Sequence, residues 1–117
     1  MMRMPKLKPS RVRQIKQNYK IHRCTDSLYF VFDNSKYSLK TSHGGPIRLT
    51  FRVTQHGPRM YSTMVNFFDF GRTGTQINGQ IWLGRYEQLS RAVTQGFLRS
   101  QQQMALLYIT MINGDHT

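Results

Sequence analysis

The clearest pattern in this chain is a strict alternation of apolar and polar residues from position 47 to position 54. The apolar side chains fall at every second position, at Ile47, Leu49, Phe51 and Val53. A period of two matches a β-strand with one buried face and one open face. The pattern therefore predicts a half-buried strand, and it places Arg48 and Arg52 together on the open face.

Four other segments show strand character, and turn residues separate them. Residues 28–32 form a dense aromatic and β-branched run, and residues 36–41 resume an alternation after a turn cluster, so these two segments are predicted to form a hairpin. Residues 60–70 are rich in aromatic residues and methionine. Asn78-Gly79 is a typical hairpin turn and precedes a short strand at 81–83. We therefore expect about five strands before the main helix.

The spacing of apolar residues changes after Gly84, where three or four residues separate successive apolar positions. This spacing predicts a helix that begins near position 85. The helix either ends near residue 100 or continues to residue 112, because Tyr108-Ile109-Thr110 favours a strand whereas the apolar spacing persists. We favour the longer helix, with its apolar positions at Tyr86, Leu89, Val93, Phe97, Met104, Leu107 and Met111.

These elements predict an α+β fold, with an antiparallel sheet of about five strands packed on a C-terminal helix. A chain of 117 residues is expected to form one domain, and we assign residues 24–117 to it. Residues 1–23 are assigned to a basic N-terminal arm. The arm is either flexible or contains a short helix, since Pro5 and Pro9 disfavour regular structure near its start.

The charge of the chain is strongly one-sided. It carries 17 Lys and Arg against 5 Asp and Glu, for a net charge of +12. Eight of the first 23 residues are basic, and no carboxylate precedes Asp26. A phosphate backbone relieves the self-repulsion of such a protein, because Lys and Arg release the counterions condensed on it. The charge predicts nucleic acid as the partner rather than a membrane, since every apolar stretch is far shorter than the roughly 18 to 20 residues needed to span a bilayer.

The single cysteine, Cys24, excludes an internal disulfide framework and favours a reducing compartment. An apolar core of the kind found in secretory signals does not follow the N-terminal charges. We therefore expect an intracellular protein, in the cytoplasm or nucleoid, with the mitochondrion and the virion as alternatives. The mitochondrial alternative arises because transit peptides are also basic and poor in acids.

The candidate nucleic-acid-binding residues combine basic and aromatic side chains. At about 3.3 Å per residue, Arg48 and Arg52 lie roughly 13 Å apart, which is about two nucleotide steps along an extended strand. Bases also stack on exposed aromatic rings, for which Tyr29 and Tyr61 are further possibilities. The bland alternative is a solvated face whose cations only maintain solubility. The full predicted set is Arg11, Arg13, Lys16 and Lys20 in the arm, Lys36, Tyr37, Lys40, Arg48, Arg52 and Trp82 on strands, and Arg72 in a glycine-rich loop.

Catalysis is not expected of this chain. The five acidic residues are scattered and suggest no pair for general acid and base chemistry. Asp69-Phe70-Gly71 matches a kinase magnesium motif, but the chain lacks the other kinase signatures. The histidines and Cys24 show no recognised zinc spacing. We therefore predict a protein that is not an enzyme and has no catalytic residues, metal or cofactor.

The order of a β meander, a short strand at Gln80-Ile81-Trp82-Leu83 and a helix opening with Tyr86-Glu87-Gln88-Leu89 resembles the positive-cofactor-four family of transcriptional coactivators. It is also similar to the Whirly and Pur relatives, which bind single-stranded DNA or RNA. The resemblance covers about residues 47–99, and the chain departs from the coactivator pattern by placing Trp82 in the strand. It implies a homodimer whose sheets bind single strands while the helices pair behind them.

Together, these features predict a non-enzymatic protein that binds single-stranded DNA or RNA with little sequence specificity. One alternative is a small structural protein, such as a viral or phage assembly component, whose basic arm neutralises nucleic acid. Another is an inhibitor that binds an acidic protein surface. Removal of the arm separates the first two functions, because only a binding domain would retain affinity for nucleic acid.

Overall fold

Seven regular elements succeed one another along the described part of the chain. The structure is a computed structural model, and it describes residues 5–32, 47–70 and 76–114, with the side chains of residues 47, 68–70, 76–78 and 107–114 excepted. The elements are helix α1 (Pro9–Lys16), strands β1 (Tyr19–Arg23), β2 (Ser27–Phe32), β3 (Ile47–Gly57), β4 (Met60–Phe70) and β5 (Gln76–Tyr86), and helix α2 (Leu89–Gly114).

The five strands form one antiparallel sheet in the order β1-β2-β3-β4-β5, so each strand pairs with its neighbour in sequence. Helix α2 packs across β3, β4 and β5. The predicted fold class is therefore confirmed. The alternation on β3 is confirmed as well, because Leu49, Phe51 and Val53 are fully buried while Arg48 and Arg52 are exposed.

Helix α2 lies unusually close to the sheet at Gly96. A Cβ atom at this position would approach Cδ2 of Phe51 to 2.4 Å and Cγ2 of Thr63 to 2.9 Å. One helical turn earlier, the buried Thr63 hydroxyl donates a hydrogen bond of 2.9 Å to the carbonyl oxygen of Ala92. The helix therefore rests directly on β3 and β4, and the sheet face beneath it is closed to solvent.

The prediction that α2 continues past residue 100 is confirmed, since the helix extends to Gly114. The apolar positions Leu89, Val93 and Phe97 are buried against the sheet, and Met104 packs at the edge of the same core. The helical spacing therefore outweighs the β-branched character of residues 109 and 110. Within the described residues, no helix is both long enough and apolar enough to cross a lipid bilayer.

The N-terminal segment differs from the expected arm. Ile15 of α1 is fully buried, and Tyr19 of β1 is 97% buried because its ring meets three aromatic rings at centroid distances of 5.5 to 5.6 Å. Strand β1 pairs along its length with β2. Residues 9–23 are therefore a helix and an edge strand of the same folded unit.

Burial also affects the chemistry of Tyr19. Its hydroxyl and that of Ser100 on α2 form a buried hydrogen bond of 2.5 Å. Desolvation by burial raises the pKa of the Tyr19 phenol, and the hydrogen bond with Ser100 opposes that increase. This contact joins β1 to α2 across the core, which explains why a segment rich in positive charge is nevertheless ordered against the sheet.

The predicted hairpin turn at Asn78-Gly79 is wrong, because both residues lie inside β5 and pair with β4. The glycine is required there for a different reason. A Cβ atom at Gly79 would lie 2.2 Å from Cζ of Phe67, whose ring occupies the space above the β5 backbone. The strand expected at 81–83 therefore extends over Gln76–Tyr86. The strand expected at 36–41 lies outside the described residues.

Candidate nucleic-acid interface

The sheet face opposite α2 is uncovered in the described structure and is strongly basic. Because side chains alternate along each strand, the positions between the buried residues all point to this open face. Among its described side chains there is no carboxylate to balance the positive charges. The exposed basic and histidine side chains on the open face are Lys20, His22, Arg48, Arg52, His56 and Arg85.

One row of side chains crosses the open face through all five strands. The register aligns His22, Tyr29, Arg52, Met64 and Trp82 as successive cross-strand neighbours. The guanidinium carbon of Arg52 lies 5.5 Å from the centre of the Tyr29 ring, a cation–π contact. Trp82 ends the row on β5 with 58% of its surface exposed. At about 4.8 Å per strand, the row spans roughly 19 Å.

A β-bulge in β5 determines which side chains flank Trp82. Trp82 pairs with Met64 and Gly84 pairs with Thr63, so Leu83 between them has no partner on β4. Gly84 has a φ of +110°, in the region that favours glycine. The extra residue shifts the alternation by one position, and Arg85 consequently lies opposite Ser62 on the open face.

Next to the bulge, the open face contains a shallow depression of about 280 Å³. Strands β3, β4 and β5 all contribute side chains to its lining. A ring nitrogen of His56, Nε2, lies 2.7 Å from Oγ of Ser62 and forms a hydrogen bond whose direction depends on the tautomer. The lining residues are Arg52, Thr54, His56, Ser62, Met64, Trp82 and Arg85.

The predicted site residues divide into three groups in the structure. Four of them, Lys20, Arg48, Arg52 and Trp82, lie together on the open face and are exposed. The second group consists of Arg11, Arg13 and Lys16 of α1. This helix contacts α2, which lies on the opposite side of the sheet. The third group, Lys36, Tyr37, Lys40 and Arg72, lies outside the described residues.

Arg11 in α1 has a structural role. Its guanidinium donates hydrogen bonds to Oγ1 of Thr94 at 2.7 Å and to Oε1 of Gln14 at 2.9 Å. Its guanidinium carbon also lies 5.8 Å from the centre of the Phe97 ring. This side chain therefore fastens α1 to α2. Arg13 and Lys16 of the same helix are exposed.

Sequence reasoning missed Arg85 and His56, and it retained Tyr61 as a stacking candidate. Tyr61 is 2% exposed and belongs to the core, so that possibility is wrong. A signal for Arg85 was present in the sequence. The apolar residues Ile81 and Leu83 are two apart, but Tyr86 follows three residues later across a glycine, and an isolated glycine in a strand suggests a bulge.

Comparisons with protein-family models, curated proteins and solved structures find no match to this chain. The resemblance to the positive-cofactor-four, Whirly and Pur proteins accordingly stays a prediction. Among the described residues, no group of three or more His, Cys, Asp or Glu side chains is arranged to hold a metal ion. The described open face combines cations, hydroxyls, amides and aromatic rings with apolar Val31 and Met64.

Proposed function

We propose that this protein is a non-enzymatic binder of single-stranded DNA or RNA with little sequence specificity. The observation that carries the proposal is the open sheet face, where four Lys or Arg side chains and an exposed tryptophan stand with no described carboxylate among them. A surface with that composition attracts phosphates through its charge and bases through its ring. The four basic residues are Lys20, Arg48, Arg52 and Arg85.

Strand β3 supplies the line of phosphate contacts in this proposal. It is the central strand of the sheet, and Arg48 and Arg52 follow each other on its open face at roughly 13 Å, or about two nucleotide steps. Arg52 is held in place by the Tyr29 ring, which reduces the freedom it would lose on binding a phosphate. A backbone that follows β3 would direct its bases towards Trp82 on β5.

The exposed Trp82 ring favours a single strand over a duplex as the ligand. Stacking on Trp82 requires the face of a base to be accessible, and a duplex keeps those faces stacked on each other. The open face contains no described element of the kind that enters a major groove, such as a projecting helix. The proposal therefore specifies backbone and stacking contacts and leaves DNA and RNA as equal candidates.

The test is a titration of labelled single-stranded DNA, single-stranded RNA and duplex DNA of the same length at several salt concentrations. Four phosphate contacts on a single strand give an expected slope of log affinity against log salt of about −2.8, at about −0.7 per contact. Fluorescence anisotropy measures the affinity at each salt concentration, from which the slope is obtained. A salt-independent affinity, or a preference for duplex over both single strands, would contradict the proposal.

The predicted homodimer and intracellular setting belong to the same proposal. Two copies would double the number of phosphate contacts and steepen the salt dependence in proportion. Sedimentation equilibrium with and without a short single strand measures the oligomeric state. A monomer in both conditions would remove the dimer, whereas large particles would favour the assembly-protein alternative.

A further inference from the structure

We infer that the depression beside the β5 bulge is a pocket for one nucleotide unit, with its phosphate held between Arg52 and Arg85 and its base stacked on Trp82. The inference rests on the proposed function and makes it more specific, because it assigns one subsite on the open face. It also assigns a reason for the bulge. If Leu83 instead paired with β4 as in a regular strand, Arg85 would point to the opposite side of the sheet.

The register of β5 determines that Arg85 lies on the open face. A regular strand would place residues 82, 84 and 86 on the open face and residue 85 towards α2. In the structure, Gly84 instead pairs with buried Thr63 and Tyr86 with buried Tyr61, which leaves Arg85 on the open face beside Trp82. Bulges of this kind commonly redirect a side chain at a binding site.

The side chains that line the depression are suited to bind a phosphate. Arg52 on β3 and Arg85 on β5 stand on opposite sides of β4 and two residues apart along it, so their backbones are roughly 12 Å apart at the usual strand spacing and rise per residue. Both side chains line the same depression, where a phosphate can accept hydrogen bonds from both guanidinium groups. Between these strands, β4 contributes the short Ser62 and the apolar Met64. The hydroxyl of Ser62 is already held by His56 at 2.7 Å.

The size and charge of the pocket indicate the kind of ligand that it binds. Its volume of about 280 Å³ lies just below the range of ligand pockets, roughly 300 to 1,000 Å³, which suits one nucleotide unit and not an extended segment. Among the described residues, the lining includes two arginines and no acid, so the expected ligand is an anion. The exposed indole beside them selects an anion that also carries a flat aromatic group.

The experiment uses Trp82 as its own probe, because it is the single tryptophan in the chain. Its emission is recorded during titration with adenosine monophosphate, adenosine and inorganic phosphate, and separately with a labelled single-stranded 12-mer followed by anisotropy. We expect saturable quenching by the monophosphate and by the 12-mer. Adenosine should quench only at concentrations at least tenfold higher, and inorganic phosphate should displace the monophosphate.

Two variants test the assigned residues. Arg85→Gln should weaken monophosphate binding about tenfold and lower the salt slope of the 12-mer by about 0.7, the value for one single-strand phosphate contact. Arg91→Gln is the matched control, since it removes the same charge from an exposed position on α2, and it should leave both unchanged. Trp82→Ala should weaken the 12-mer about 5- to 150-fold, as expected for one base stack.

The outcomes separate this pocket from the proposed function. If the 12-mer binds with a salt-dependent affinity, but Trp82 emission does not change and Arg85→Gln behaves as Arg91→Gln does, the pocket is overturned, whereas single-strand binding through the other cations of the open face stands. Equal quenching by adenosine and adenosine monophosphate would overturn the phosphate assignment. If the 12-mer does not bind at all, the proposed function itself fails.

Discussion

Replacement of Gly96 by alanine should destabilise the protein, although alanine is the better helix former. In the interior of an exposed helix, Gly to Ala stabilises by about 0.8 to 1.0 kcal/mol. At position 96, however, the added methyl group would lie 2.4 Å from Cδ2 of Phe51, where carbon atoms normally approach to about 3.5 to 4.0 Å. A separation of more than an ångström must then be created in the core.

The surroundings of Phe51 prevent its ring from moving away. Phe51 is fully buried and stacks on Phe30 with ring centroids 4.3 Å apart and planes at 9°. Tyr19 contacts it edge-on at 5.6 Å. The strain of overpacking a core costs about 1 to 3 kcal/mol, and the two overlaps at position 96, with Phe51 and with Thr63, place this cost in the upper part of the range, at about 2 to 3 kcal/mol. After the gain in helix propensity is subtracted, we expect a net loss of about 1 to 2 kcal/mol in the free energy of unfolding.

Thermal and urea unfolding followed by far-UV circular dichroism measure this change. The melting temperature should fall by about 4 °C for each kcal/mol lost in a domain of this size. Gln101→Gly compared with Gln101→Ala provides the matched control, because residue 101 is exposed on the same helix and reports the propensity difference alone. A Gly96→Ala variant as stable as the natural protein would refute the close helix–sheet contact.

Three further predictions concern the charge, the N-terminal segment and pH. Replacing Arg48 and Arg52 together by alanine should lower the salt slope for a single strand by about 1.4 with little change in melting temperature, and an unchanged slope would remove both arginines from the site. The control Leu49→Ala alters a buried side chain and should cost about 2 to 5 kcal/mol of stability. Deletion of residues 1–23 should abolish the cooperative unfolding transition, because it removes an edge strand and two core side chains, and a truncated protein that melts at the full-length temperature would contradict the packing. Burial raises the pKa of Tyr19 in the folded state, so the unfolded chain loses that proton first and stability should fall as pH rises above 10.0; Tyr19→Phe should flatten this fall in urea titrations, and an equal fall in both proteins would refute the assignment.

The β3 strand and helix α2 could be predicted from the sequence because each has a long run of one period. Alternation over eight residues on β3 and helical spacing from Leu89 to Met104 give consistent instructions at every position. The open-face positions of Arg48 and Arg52 follow from the same alternation. These features needed only local information, since one face of each element had to be buried.

The N-terminal segment was harder to predict because its local signals conflict with its tertiary contacts. Prolines and a high density of positive charge favour an open arm, and a helix as short as α1 is marginal in isolation. Its order comes from Ile15 and Tyr19, which reach a core assembled by residues about 80 positions later, such as Ser100. A pattern read along the sequence does not contain that contact.

Strand β5 shows why the candidate site depends on more than the periodicity of its residues. Read as a regular strand, it would place Trp82 on the open face alone and bury Arg85 next to the apolar core, which would be costly for an unpaired guanidinium. The bulge at Leu83 avoids this cost by shifting the alternation, and Gly84 accommodates the shift with its φ of +110°. The stability of the fold and the proposed site therefore both require the bulge in β5. The departure from regular alternation that removes a charge from the core is also the one that brings a cation beside the exposed indole.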